Sequence, residues 1–517
     1  MKFRYKVSTI ALFAAALTFS SCEKAVEVDP RQSVDLSTAL NTKENINAAI
    51  TGAYSRLKSA RVYGRDMIAF PEALADNGHF TNKSGRFANE TRNIHGAHFN
   101  NWQNYYYMIN DINLALDAIP QLNVVPAVTA AENDAWVGQL KFLRALAYFD
   151  LVRTYAYIPG TEGVVNSKGG VPLLLSGVKT LDDALLRLPS RAKTADVYAQ
   201  IYADLQDAEA KLKDLTLAPA LANKQAAQAL MARVALYNKD YAKAAEYAQK
   251  VITTHGSRLL TTANYVSSWR NKVNPESLFE VSFTINAENI GVNESLQTSF
   301  TTLVVSGDRL QTGGWGDLVP TSTLLTDLGI TVINQGSSIE PGKTGTTTIT
   351  ARTNDVRNQL YEVGTVGRGS AFVESTKYLG KNGFVNLDNA IVLRVSEMYL
   401  ILAEAQSAVG STVLDEAASR SALITIKRNR YTSYAGSTME ASDLLLAGSA
   451  LRNEIMKQRR IEFAFEGHRF FDLKRQGMDL TKSPQYTNVP FTDYRILPAI
   501  PLRELDGNPN LVNNEGY

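Results

Sequence analysis

The run Arg459–Arg475, "RRIEFAFEGHRFFDLKR", crowds carboxylates, guanidiniums and an imidazole into one short stretch. Glu462, Glu466 and Asp472 stand beside Arg459, Arg460, Arg469 and Arg475, with His468 directly after Gly467. Two chemistries could use such residues: a carboxyl pair roughly 5 to 10 Å apart for glycoside hydrolysis, or a histidine general base. The spacing favours neither. On a helix ending at Gly467, Leu451, Ile455, Glu462 and Phe465 share one face, which carries Glu462 inward, and a buried carboxylate is costly unless paired. Arg459 has helix-neighbour spacing to Glu462, Glu466 can pair with Arg469 across the turn, and Phe463, Phe465, Phe470 and Phe471 anchor both sides. His468 reads as a capping or satisfied histidine. The stretch is expected to clasp the last scaffold helix to the segment that follows.

Other reactive constellations are weaker. His95 and His98 in "NIHGAHF" have a spacing two metal ligands could use, but no cysteine or acidic cluster stands near to complete a set of three or four. Among 51 acidic residues no pair is marked out by its surroundings. There is no G-x-S-x-G, no P-loop and no dinucleotide glycine motif between strand and helix. Binding is therefore expected rather than catalysis, without cofactor or metal.

The elements that must position a binding site are mostly helices. A chain of 517 residues, 45% hydrophobic, can bury a large core, and its formal charge of +2 gives no reason to expect nucleic acid as a partner. Apolar residues recur at helical spacing over residues 45–58, 102–119, 133–157, 195–215, 224–238, 241–254, 393–407, 415–429 and 441–466. Between 257 and 390 the texture turns to Gly, Thr, Ser and Asn with strand-like pieces such as "SLFEVSF", and loops on a rigid frame are where binding groups usually sit. "KQAAQALMARVALYNKDYAKAAEYAQKVITTHG", from Lys224, reads as two helices joined at "NKD" and resembles a tetratricopeptide unit, which needs neighbours to bury its apolar face.

The amino terminus, "MKFRYKVSTIALFAAALTFSSCEK", has a basic start and an apolar stretch from Ile10 to Phe19, shorter than the roughly 20 residues that span a bilayer. The single cysteine, Cys22, follows "FSS" and looks like a lipobox. Its resemblance to bacterial lipoproteins implies cleavage before Cys22 and acylation of its thiol. Residues 1–21 are then a signal peptide, 22–40 a lipidated tether, and 41–517 one domain, with a helical scaffold from 41–256 and 391–476 and a loop-rich binding part mainly in 257–390.

Several ordered segments carry a further resemblance: "KFLRALAYFDLVRTYA" from Lys141 and "GGVPLLL" from Gly169, then "YNKDYAKAAEYAQKVI", "NPESLFEVSF", "VLRVSEMYLILAEAQ" and the Arg459 run, closing on "RILPAIPLRELDGNPNLVNNEGY". Together they resemble the SusD/RagB family of surface nutrient-binding lipoproteins. The ending "VNNEGY" lacks the proline usual there. The resemblance implies a mainly helical fold of four tetratricopeptide-like pairs carrying a loop-rich part with short strands. It also implies a non-enzymatic role: capture of oligosaccharide at the outer surface of the outer membrane and delivery to a SusC-like TonB-dependent transporter. Some relatives take peptides instead, and a glycoside hydrolase is the remote alternative.

A sugar offers C–H faces to flat aromatics and hydroxyls to planar polar groups. Trp102 opens a helix after the polar loop "LADNGHFTNKSGRFANETRN", a placement that lets its ring face solvent with Asp76, Asn77, Arg86 and Asn104 near it. Trp315 lies in "GGWGD", where glycines expose the ring and let a ligand approach the backbone. The resemblance implies binding by an early acid, an early arginine, a helix-entry aromatic and a late loop aromatic, which match Asp76, Arg86, Trp102 and Trp315. Trp102 also begins an amphipathic face with Tyr106, Ile109 and Asn113, a core pattern; Arg86 with Asp76 also fits a plain surface pair. Trp136 and Trp269 read as packing residues.

Overall fold

A computed structural model describes residues 39–161, 167–216, 218–334, 346–482 and 486–517. Cys22, the expected signal peptide and all but the end of the expected tether lie outside the described residues. None of the described helices is long and apolar enough to cross a membrane.

The protein is mainly helical, as expected. Its scaffold comprises α1 (Lys43–Arg56), α2 (Asp66–Leu74), α3 (Trp102–Ala118), α4 (Ala130–Tyr155), α5 (Thr194–Lys211), α6 (Lys224–Tyr237) and α7 (Tyr241–His255). After the short α8 (Leu296–Phe300) come α9 (Val395–Ala405), α10 (Glu416–Arg428), α11 (Gly448–Glu462) and α12 (Arg469–Arg475). Several start where side chains satisfy the orphan N–H groups of the first turn: Thr42 caps α1, Thr129 and Glu132 form a capping box on α4, and Asn223, Asp240 and Asp415 cap α6, α7 and α10. Neighbours stack in succession, α3 on α4, α4 on α5, α5 on α6, α6 on α7, α7 on α9 and α9 on α10. Each helix thereby covers the apolar face of the next, which is how helix pairs without an independent core become stable.

The segment between α7 and α9 leaves this stack and returns to it. Its first strand β2 (Ser277–Val281) pairs antiparallel with its last, β8 (Ala390–Arg394), which runs straight into α9. Three more two-stranded antiparallel sheets organise the loops: β1 (Gly78–Phe80) with β3 (Leu318–Pro320), β4 (Ile330–Ile333) with β5 (Thr348–Arg352), and β6 (Tyr361–Val363) with β7 (Val373–Ser375). β1 belongs to the amino-terminal part of the chain, so its pairing with β3 draws the loop after Phe80 up to the loop before Leu318.

The long helix expected over 441–466 is broken. A short helix, Thr438–Asp443, precedes α11, and α11 ends at Glu462. The chain then turns through Phe465 (φ 63°) and Gly467 (φ 85°). A side chain at Gly467 would meet the Met67 carbonyl of α2 at 2.3 Å, so glycine is required for this close approach.

The clasp expected from the Arg459 run exists with different partners. Glu462 accepts from Arg430 Nη2 (2.9 Å) and Arg394 Nη1 (2.7 Å), and from Arg357 Nη1 (3.2 Å), all buried. Burial opposes its ionisation, but Arg430, Arg394 and Arg357 outweigh that and hold the carboxyl well below the usual range. Glu466 takes Arg394 Nε at 2.8 Å, not Arg469. Arg459 turns to Asp472 at 3.1 Å, not to Glu462. His468 stacks on Phe463, with ring centroids 4.5 Å apart, and makes no side-chain cap to α12.

Candidate functional site

Two of the small sheets bring the candidate site together. β1–β3 pairing continues as Thr81 donates from its N–H to the Asp317 carbonyl (2.8 Å) and from its hydroxyl to the Gly316 carbonyl (2.9 Å). The loop after β1 is held in unfavourable backbone: Asn82 and Phe87 both have φ of 62°, a region that a bulky residue rarely adopts. That loop places Ser84 Oγ 2.6 Å and Arg86 Nε 2.8 Å from the Asp317 carboxylate. Burial raises the Asp317 carboxyl, against the stabilising bonds from Ser84 and Arg86.

Trp315 sits two residues before Asp317, half-buried. Its N–H donates to Thr298 Oγ1 (3.1 Å) and Gly316 N–H to the Thr298 carbonyl (2.9 Å), which fastens the loop to α8. The flanking glycines serve this internal packing instead of opening the backbone to a ligand: a side chain at Gly314 would lie 2.3 Å from the Thr301 carbonyl.

The hairpin β6–β7 supplies the other wall. Arg368, between Gly367 and Gly369 in its turn, lays its guanidinium 4.2 Å from the Trp315 ring centroid, and Arg86 lies 5.9 Å from the same ring. Beneath them Glu374 of β7 is fully buried. It accepts from the Thr302 N–H (2.6 Å) and from the hydroxyls of Thr302 and Thr301, and pairs with Lys83 at 3.3 Å. Burial raises this carboxyl too, opposed by Lys83 and the threonines. The Trp315 Nε1, Arg86 Nη2 and Arg368 Nε atoms are enclosed without a hydrogen-bond partner among the described residues. The result is an aromatic ring flanked by cations, over carboxylates whose lone pairs are used internally. That suits stacking and hydrogen-bond donation better than proton transfer.

Of the six ligand-binding residues expected from the sequence, Arg86 and Trp315 come together. The other four are placed elsewhere. Asp76 receives both arms of Arg469, and Asn77, 1% exposed, accepts from Arg460 Nε (2.8 Å) while donating to Glu72 (2.8 Å). Both therefore belong to the clasp. Trp102 is 2% exposed and does not face solvent: its ring meets Tyr155 edge-on at 4.9 Å and Tyr106 at 4.9 Å. The amphipathic face it begins is a core face. Asn104, half-buried, donates to Ser59 Oγ at 3.2 Å. Arg86 pairs with Asp317, not Asp76. Trp136 and Trp269 are buried.

Sequence reasoning missed Ser84, Asp317, Lys83 and Arg368. Arg368 had a readable signal, since "GRG" brackets a side chain as "GGWGD" does. The others depend on the β1–β3 pairing, which no local pattern announces. Among the described residues no group of three or more His, Cys, Asp or Glu side chains could hold a metal ion.

The chain resembles known proteins along nearly its whole length. A family model described as "Starch-binding associating with outer membrane" matches residues 26–236, and one described as "SusD family" matches residues 370–517. SusD-like protein P2 of Formosa agariphila is 28% identical, across 99% of this chain and 100% of its own, and SusD-like protein P38 of the same organism is 23% identical. A SusD superfamily protein of Bacteroides thetaiotaomicron has the same fold, with a TM-score of 0.74 at 23% identity over 92% of this chain and 99% of its own. A SusD-like carbohydrate binding protein of Bacteroides vulgatus superposes with a TM-score of 0.68 at 17% identity, over 91% and 97% of the two chains. With the ordered motifs and the helical stack, these matches give one answer: the chain belongs to the SusD/RagB family.

Proposed function

We propose that this protein is a glycan-binding lipoprotein of the outer membrane. It is anchored through acylated Cys22, faces the cell exterior, holds an oligosaccharide against Trp315 and passes it to a SusC-like TonB-dependent transporter. Family membership supports a binding role over catalysis, and the description of the amino-terminal family model supports both the ligand class and the membrane. One observation carries the reading at residue level: the indole of Trp315, held half-buried by α8, lies beside the guanidiniums of Arg86 and Arg368. A pyranose packs its C–H face on such a ring while the outer nitrogens of a flanking guanidinium donate to its hydroxyls.

Affinity electrophoresis of the soluble domain against a polysaccharide panel tests the ligand. One or more retained glycans are expected, and retention should be lost in Trp315→Ala. Retention of none would remove the glycan reading. Co-purification from outer membranes tests the partner, and recovery of the protein without a large β-barrel would remove the transporter.

A further inference from the structure

We propose that the glycan taken at the Trp315 site is acidic, bearing the carboxylate of a uronic acid or a sulfate ester. This rests on the glycan-binding reading above and concerns the charge of the ligand.

Among the described residues the charges around the ring do not balance. Arg86 is matched by Asp317 and Lys83 by Glu374. Two further cations, Arg309 and Arg368, have no acidic partner among the described residues. Each is oriented by something other than an acid: Arg309 donates from Nε to the Gly364 carbonyl at 3.0 Å, and Arg368 stacks on Trp315. An arginine held by its inner side keeps its outer nitrogens for an incoming group. None of the Nη atoms of Arg309 or Arg368 has a hydrogen-bond acceptor among the described residues.

Both arginines belong to loops that touch. Arg309 lies on the loop closed by the bridge between Leu303 and Thr312, and Arg368 on the turn of the β6–β7 hairpin. At Gly367 a side chain would come within 3.3 Å of Thr312 Oγ1, and Thr365 N–H donates to Thr302 Oγ1 at 2.9 Å. The two guanidiniums without an acidic partner among the described residues are thus carried on loops that meet, with Arg368 against the Trp315 ring.

The acids described at this rim cancel them only in part. Asp317 and Glu374 are buried beneath the ring and already matched. Asp308 holds only the neutral donors Leu310 N–H and Gln311 Nε2, both at 2.9 Å, so it keeps its charge and offsets one of the two cations. Glu362, on β6, pairs with Arg352 at 3.4 Å. A neutral sugar would leave the remaining rim cation uncompensated, whereas a carboxylate or sulfate fits the planar fork of a guanidinium. The near-neutral charge of the whole chain conceals this local excess.

The test compares matched glycans by isothermal titration calorimetry: polygalacturonate against its methyl ester, dextran sulfate against dextran, and a panel of neutral polysaccharides. The charged member of at least one pair should bind about tenfold or more tightly, and the pair that shows it separates carboxylate from sulfate. Raising salt to about 0.5 M should erode the preference, because exposed charges are screened. Arg309→Gln with Arg368→Gln should abolish it at unchanged melting temperature, whereas Arg503→Gln, a cation elsewhere on the surface, should keep it. A glycan bound without preference for charge, or a preference insensitive to salt and to the double variant, would overturn the inference while leaving the glycan reading intact. If no member of the set is bound, both fail.

Discussion

Arg469 grips Asp76 with two parallel hydrogen bonds, Nε to Oδ1 at 2.6 Å and Nη2 to Oδ2 at 2.9 Å, across 393 residues of sequence. The pair ties the start of α12 to the loop that leaves α2, and Arg460 adds contacts to the Asp76 carbonyl and Asn77. It closes the fold of the end of the chain onto its beginning and contributes no group to the ring of Trp315.

Replacing Asp76 by Ala strands Arg469 in a largely buried position. Breaking such a pair costs about 2–4 kcal/mol. Urea denaturation should show that loss, while glycan affinity of the folded protein stays within about twofold; lost affinity at unchanged stability would place Asp76 in the ligand site instead.

Glu462 should be more sensitive still. Its removal leaves Arg430, Arg394 and Arg357 facing one another in the core, and Glu462→Ala should cost about 3–5 kcal/mol. Soluble yield and denaturant midpoint measure this, and a near-neutral effect would show that the clasp is dispensable.

Glu72 gives a pH signature. Burial pushes its carboxyl up to about 7, against bonds from Asn77 and Gly467, while the unfolded value is near 4.5. A carboxyl raised on folding favours the folded state below the unfolded pKa and loses that contribution as pH rises to the folded one. Between pH 4.5 and 7 the native protein should therefore lose about 3 kcal/mol relative to Glu72→Gln, which does not titrate. Parallel denaturation curves for the two proteins across that window would refute the assignment.

Gly314 and Trp102 separate site from frame. Gly314→Ala collides with the Thr301 carbonyl and should displace the Trp315 loop, reducing glycan affinity about tenfold or more with little effect on global stability. Trp102→Ala should do the reverse, costing about 3–5 kcal/mol through the cavity it leaves. Titration calorimetry and thermal melts of both variants read the two effects.

What could be read from the sequence follows from range. Helices with a clear apolar period, such as residues 102–118 and 241–254, are local facts, and so is the glycine setting of Trp315. α2 was not readable: all nine of its residues are buried, so it has no polar face to give a period, and Pro71 reads as a helix breaker. Lys482 completes it from 407 residues away by donating to the Ala75 carbonyl at 2.9 Å. The pairs of Arg460 and Arg469 with residues 76–77 have the same character. Nearness in sequence suggested Arg459 for Glu462 and Arg469 for Glu466, yet tertiary packing brought Arg394, Arg430 and Arg357 instead. Arg86 and Trp315 were both marked by local signals, but their meeting required the β1–β3 pairing, whereas Trp102 packs into the core against Tyr106 and Tyr155.

The proposed function rests above all on Trp315 as the sugar-stacking platform. Its most direct test is titration calorimetry of wild type and Trp315→Ala with the glycan retained in affinity electrophoresis, alongside thermal melts of both. Trp315→Ala should lose at least about tenfold in affinity, as expected when a stacking aromatic is removed, with melting temperatures within about 2 °C of each other. Equal affinity of the two folded proteins would contradict it.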